Sequence, residues 1–246
     1  MKPYQQVTIV ECGEALVPIP LEQFEMESPH PYEKLGAPYS LSSVPSPYFL
    51  RQRVLERLVQ AQAELQQNYP GWKISIFDAY RPVEVQQFMV DYTFQQLRQT
   101  RELQTADLLP DLSPEQYQIW IEALRAEVYQ FWALPSLDPA IPPPHSTGAA
   151  IDITLVDVTG QELNMGSPID EISPRSLPQY FSQSPDPSEQ TYHHNRQILA
   201  QIMGSAGFQQ HPNEWWHFSY GDQLWAWLIQ EQGSSESITA QYGRYW

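Results

Sequence analysis

Apolar residues along the chain recur with helical and strand-like periods, and prolines punctuate them. Leu50, Val54, Leu58, Ala61 and Leu65 follow one another at spacings of three and four, and the run stops at Tyr69-Pro70-Gly71. That spacing predicts an amphipathic helix of about five turns. In WKISIFDAYRP, Trp72, Ile74 and Ile76 alternate with Lys73 and Ser75, the period of a half-buried strand, and Pro82 ends it. Arg81 therefore stands just past a strand end, where side chains commonly face a cleft. A further helix is expected over residues 83–104, and another starts at Ser113-Pro114-Glu115-Gln116. There Ser is placed as N-cap, Pro as first helical residue, and Gln closes a capping box. Both read as surface helices.

After Pro142-Pro143-Pro144, the segment AAIDITLVD alternates Ile151, Ile153 and Leu155 with Asp152 and Thr154. A strand that buries one face and turns Asp152 to the other follows from that alternation. Residues 159–188 are rich in Gly, Pro and Ser and read as a long loop, of a length usually reserved for lids or binding loops. Ile198, Leu199, Ile202 and Met203 mark a helix that Gly204 can cap, with His193 and His194 at its start, and EWWHFSYG reads as a last strand. Residues 1–48 mix short β-prone pieces such as Val7–Val10 with many prolines, the make-up of an irregular segment wrapped on a core.

Composition narrows this picture. A length of 246 residues allows one large domain or two small ones. Aromatic residues at 13% supply apolar area for a core although 23 prolines break the chain into short pieces, so a single loop-rich domain over 1–246 is expected. A formal net charge of -16 argues against nucleic-acid and anionic-membrane partners, which would repel an acidic surface; a small zwitterionic or cationic ligand is compatible with it. Cys12 is the single cysteine, so no intramolecular disulfide forms, and with no basic neighbour in sequence it is not a candidate nucleophile. The chain's start lacks a basic region followed by a long apolar run, and no stretch approaches the roughly 18 apolar residues of a membrane span. A cytoplasmic location is the resulting expectation; oligomeric state is not legible.

Candidate chemistry lies in four residues of metal-binding or metal-activating type held in two short segments: His145, Asp152, Glu214 and His217. A catalytic zinc site needs three protein ligands from His, Asp or Glu and an open position for a water. His145, Asp152 and His217 would supply the three, and Glu214 would then be free to take a proton from that water and pass it to a leaving amine. Spacing constrains this reading, because residues three apart on a flat strand point to opposite faces. Either Glu214 stands in a loop after Pro212-Asn213, or a bulge re-aims one side chain. Gly148 allows a turn between a loop His145 and a strand Asp152. Taken singly, each residue has a blander reading: a structural histidine, a solvated carboxylate, or, for Arg81, a surface ion pair. Trp215 and Trp216 read as packing, His193 and His194 as surface residues that cannot face one point. Asp78 is placed to orient Arg81 or cap a turn, and His211 to support Glu214.

HSTGAAIDITL resembles the metal-binding motif of the D-alanyl-D-alanine dipeptidases, including the vancomycin-resistance type, and of related zinc D,D-carboxypeptidases. FDAYRP and EWWHF resemble two further motifs of that family in the same order, from Phe77 to Phe218. The resemblance implies an α+β fold of the zinc D,D-peptidase (hedgehog-like) type, a central antiparallel sheet with helices packed on it. It implies one Zn2+ per chain held by His145, Asp152 and His217, with Glu214 as general base and Arg81 stabilising the developing oxyanion. MGSPID matches a substrate-contacting loop, so that Asp170 would pair with the free amino group of a dipeptide. One departure stands out: Pro143 replaces a serine that is expected to contact substrate, which bears on preference for D-Ala-D-Ala and not on zinc.

The function that follows is hydrolysis of D-alanyl-D-alanine or a similar dipeptide by a metal-activated water. A zinc carboxypeptidase acting on longer peptidoglycan peptides keeps the same chemistry, and the Asp170 loop discriminates, since a carboxylate closing the amino end of the site favours dipeptides. A non-catalytic binding module on the same fold would be signalled by loss of the base, yet Glu214 and Arg81 are both present. A structural zinc domain is disfavoured because such sites close four positions and draw on several cysteines.

Overall fold

The computed structural model describes residues 2–42, 44, 46–104, 112–233 and 238–245. In chain order its elements are β1 (Leu16–Pro18), β2 (Glu25–Met26), α1 (Pro31–Lys34), β3 (Phe49–Arg51), α2 (Gln52–Asn68), β4 (Lys73–Asp78) and α3 (Val83–Gln104). They continue with α4 (Pro114–Phe131), β5 (Ala150–Val156), α5 (Pro187–Ser205), β6 (Gln209–Gln210), β7 (His217–Ser219) and α6 (Gln223–Glu231). The architecture is α+β, as expected. A five-stranded sheet runs β2-β4-β5-β7-β6, and β1 and β3 pair separately. Its pairings β4–β5, β5–β7 and β7–β6 are antiparallel, while the short edge strand β2 joins β4 in parallel.

One face of the sheet makes the main core. Ile74 and Ile76 of β4, Ile151, Ile153 and Leu155 of β5, and Phe218 of β7 pack against Val54, Leu58 and Leu65 of α2 and Ile198, Leu199 and Ile202 of α5. Full burial of a Leu or Ile side chain contributes about 2 kcal/mol, so this layer fixes the register of β5. α3 and α4 form a second apolar cluster, in which Val85, Met89 and Phe94 meet Leu124, Val128 and Trp132. These helices are thus more than surface cover. Ser113 caps α4 as its sequence predicts, accepting from the Gln116 N–H while the Gln116 side chain accepts from the Ser113 N–H.

Four local expectations change. β5 is buried on both faces, because the face that carries Asp152 is covered by the chain that forms the site. α5 starts at Pro187 behind the N-cap Asp186, which puts His193 and His194 in mid-helix. Gly204 lies inside that helix, and the reversal falls instead on Gly207, with φ +91°, a value that favours glycine. The last strand contracts to His217–Ser219, and α6, unforeseen, follows behind its cap Asp222.

Candidate metal centre and active site

Register places the acidic and imidazole groups in one row across the sheet. Asp152 of β5 is the direct cross-strand partner of His217 on β7 and of Asp78 on β4, and directly opposed residues point to the same side. Asp78 shares its parity with Ile74 and Ile76 and in a regular strand would enter the core. A bulge between Ile76 and Asp78 shifts the register and turns it to the Asp152 face.

His145 reaches the same point from a 3-10 turn, Pro144–Thr147, that ends in the left-handed Gly148 (φ +71°). This turn is stitched to the end of β4: the Arg81 N–H donates to the His145 carbonyl at 3.2 Å, and the Ser146 hydroxyl donates to the Arg81 carbonyl at 2.7 Å. Glu214 stands in a turn ahead of β7, which is the loop alternative, so no bulge is needed between it and His217.

The geometry of the cluster fits a tetrahedral divalent ion. His145 Nε2 and His217 Nδ1 lie 3.2 Å apart, and the Asp152 carboxylate oxygens lie 3.2 Å from the first and 2.9 Å from the second. Ligands at zinc distances around a tetrahedral centre stand about 3.3 Å apart. Both imidazoles are oriented for the task. His145 Nδ1 donates to the Ala79 carbonyl at 2.7 Å. His217 Nε2 faces the Ser219 hydroxyl at 3.3 Å, which itself donates to Asp222 at 2.9 Å. Each ring is left with its lone pair turned inward. Two lone pairs and a carboxylate converging in a buried space form an acceptor-only set, the donor chemistry of a cation site.

Around the cluster the electrostatics separate the remaining groups. Glu214 has one oxygen 3.8 Å from His217 Nδ1 and the other 3.7 Å from His211 Nδ1. Burial, followed by the Asp152 charge, pushes its carboxyl well above the usual range, which suits a proton carrier. Burial drives His211 well below the ordinary imidazole value, and its Nδ1 accepts from the Asn213 N–H at 3.2 Å. Arg81 is immobilised. Its Nε and Nη2 lie 2.7 and 2.6 Å from one Asp78 oxygen, Nη1 donates to Gln86 at 3.0 Å, and the guanidinium stacks on Tyr32 and Trp132 at 5.1 and 4.9 Å. Asp78 is pulled up by burial, but Arg81 and His30 outweigh that and hold it at about 2. It is a fixed counter-charge that orients Arg81. Asp170 adopts φ +65° and accepts from the Tyr32 hydroxyl at 2.6 Å. Burial and then Asp152 push it up to about 6, although part of its surface faces the cavity.

All six residues singled out in the sequence, Arg81, His145, Asp152, Asp170, Glu214 and His217, line one cavity. His193 and His194 lie elsewhere. Sequence reasoning missed Lys2, Tyr4, Gln86 and Trp132 on the same walls, together with Tyr32 and His30 behind Arg81. For the last two a signal existed: His30-Pro31-Tyr32-Glu33 is a helix start, with the Glu33 side chain accepting from the His30 N–H.

Sheet, cluster, buried carboxylate and clamped guanidinium together have the make-up of a metal-dependent hydrolase. Comparison with known proteins specifies it. Residues 26–235 match the family described as D-ala-D-ala dipeptidase. A D-alanyl-D-alanine dipeptidase of Synechocystis sp. is 47% identical over 251 aligned residues, covering 99% of this chain and 97% of the relative. One from Escherichia coli is 43% identical over 74 residues, covering 30% of this chain and 36% of that protein. A solved structure, VanYB in complex with D-Alanine-D-Alanine, superposes with a TM-score of 0.44 at 17% identity, covering 75% of this chain and 78% of that one. The chain belongs to the D-ala-D-ala dipeptidase family of peptidases.

Proposed function

We propose that the protein is a zinc peptidase that hydrolyses D-alanyl-D-alanine, or a closely similar dipeptide, to free amino acids. One observation carries the reading: in the cavity that Glu214, Arg81 and Asp170 also line, His145 Nε2 and His217 Nδ1 lie 3.2 Å apart, and the two oxygens of the Asp152 carboxylate lie 3.2 Å from the first and 2.9 Å from the second. When bound there, zinc supplies a Lewis acid that lowers the pKa of water toward about 7 and polarises the peptide carbonyl. Glu214 accepts a proton from the attacking water at a carboxylate oxygen as the C–O bond forms and the carbonyl electrons move onto oxygen, and delivers it to the leaving nitrogen as those electrons return and the C–N bond breaks. Arg81, held by Asp78, Gln86 and the two aromatic faces, presents a permanent charge that needs no reorganisation as the carbonyl oxygen gains electrons. Asp170 pairs with the substrate's ammonium. A carboxylate at the amino end favours a dipeptide over a longer chain, whose amide nitrogen carries no charge to satisfy it.

The experiment is release of D-alanine from D-Ala-D-Ala by purified protein, with Glu214→Ala and a chelated sample beside it. General acid–base catalysis is worth about 10²- to 10⁴-fold, and Glu214→Ala is expected to lose that much in kcat while keeping its zinc. Zinc binding without dipeptide turnover would overturn the substrate, and absence of zinc binding would overturn the site.

A further inference from the structure

The chain's first residues form one wall of the cavity, and the chemistry above leaves them unused. Pro3–Gln6 make a 3-10 turn, Tyr4 is buried, and the side chain of Gln223 on α6 donates to the carbonyls of Val7 and Ala140 at 2.7 and 2.9 Å. The Lys2 N–H donates to the Gln5 side chain at 2.8 Å. So anchored, the half-buried Lys2 side chain lines the same cavity as the metal cluster and Glu214. Arg81 and Lys2 are the lysine and arginine side chains on its walls. Arg81 is held by Asp78, Gln86, Tyr32 and Asp152, and its charge serves the carbonyl oxygen in the reading above. Among the described residues Lys2 makes no ion pair and no side-chain hydrogen bond; the charge it senses is that of Glu214. On the loop ahead of His145, Pro142, Pro143 and Pro144 are buried prolines without an N–H, so that wall offers an anion no backbone donors.

We infer that Lys2 receives the α-carboxylate of the dipeptide, making the N-terminal segment the element that selects a free carboxyl end. The inference rests on the dipeptidase reading. Glu214 must face the leaving nitrogen in order to protonate it, and Lys2 lies within the field of Glu214. The carboxylate carbon is three bonds beyond the scissile carbon, within about 4 Å of it, so a cation on the leaving-group side near Glu214 meets the carboxylate. Asp170 is instead fixed by contact to the Arg81 wall: it accepts from the Tyr32 hydroxyl, which in turn accepts from Arg81 Nη2. Asp170 and Lys2 thus give the cavity one negative and one positive recognition group, matching the ammonium and carboxylate of a zwitterion.

The test compares D-Ala-D-Ala with D-Ala-D-Ala amide in the wild type, Lys2→Met and Lys2→Arg, with melting temperature and zinc content recorded for each. A charge-assisted contact corresponds to about ten- to hundredfold. Lys2→Met is expected to raise KM for the free acid by that factor with kcat largely kept. It should leave the amide unchanged, so that the wild type's preference for the acid collapses, and Lys2→Arg should restore most of it. Equal effects of Lys2→Met on acid and amide, or none on either, would overturn the inference and leave the dipeptidase reading standing. A wild type inactive on D-Ala-D-Ala would overturn both.

Discussion

At the scale of single residues, Asp170 combines two features that belong together. Its backbone sits at φ +65°, a conformation that costs a non-glycine residue of order 1 kcal/mol but that Asp tolerates better than most. Its carboxyl is pushed up to about 6, first by burial and then by Asp152. The sign of the consequence follows directly. Asp170 is ionised above about 6, so its attraction for a substrate ammonium is present there and fades as pH falls through that value. KM for D-Ala-D-Ala should therefore rise below about pH 6, and Asp170→Asn should give a high KM that no longer changes over that range. An acid limb in KM that survives in Asp170→Asn would remove Asp170 from substrate binding. Stability runs the other way. A folded value above the 3.8 of an ordinary carboxyl means that the native state binds the proton more tightly, so the residue's contribution falls as pH rises from about 4 to 6. At neutral pH Asp170→Asn is expected to melt no lower than the wild type.

Among the elements, the turn that carries His145 is the most constrained. Gly148 ends it at φ +71°, and a Cβ there would stand 2.3 Å from Leu16 Cδ2 on β1. Its carbonyl accepts from the Arg51 N–H of β3 at 2.8 Å, so β1, β3 and the turn cannot shift independently. Gly148→Ala combines a left-handed alanine with a clash and should destabilise by about 1–3 kcal/mol, a fall in melting temperature of several degrees for a chain of this size. His145 should move with the turn and zinc affinity should drop with it; unchanged zinc binding in a destabilised Gly148→Ala chain would show that the turn does not set the ligand's position. The same segment explains what could be read in advance. β5, α2 and the capped start of α4 follow from period and capping because those signals are local. The orientation of Asp78 was hidden because a bulge reverses its parity, and a bulge leaves no trace in alternation. Trp132 and Lys2 reach the site only through tertiary packing, and for Tyr32 the helix start at His30 announces a turn but not that the turn packs on Arg81. The metal ligands were legible through motif resemblance, and their spacing alone would not have selected them.

For the molecule as a whole, part of the acidic excess behind the formal net charge of -16 is buried at the site. Asp78, Asp152, Glu214 and Asp222 are buried there, and Arg81 is the buried guanidinium among them. Burying several like charges opposes folding unless cations or protons offset them. The structure uses both devices: Arg81 holds Asp78 low, while burial raises the proton affinity of Glu214 well above the usual carboxylate range and pushes Asp222 up to about 6. Asp152 is held well below the usual range, burial notwithstanding, by His145 and His217, and its negative charge is the one a divalent ion would meet. Such an ion binds the folded cluster and not the dispersed unfolded ligands, so it stabilises by linkage, about 4 kcal/mol at a thousandfold excess over Kd. For a chain of this size that corresponds to about 8–16 °C in melting temperature. Chelation is therefore expected to lower melting by about that amount and near-stoichiometric zinc to restore it, with magnesium failing because two imidazoles and one carboxylate are a poor set for a hard octahedral ion. Scanning calorimetry at fixed pH measures this, and identical melting with and without chelator would mean that the His145–Asp152–His217 cluster holds no metal in the folded protein.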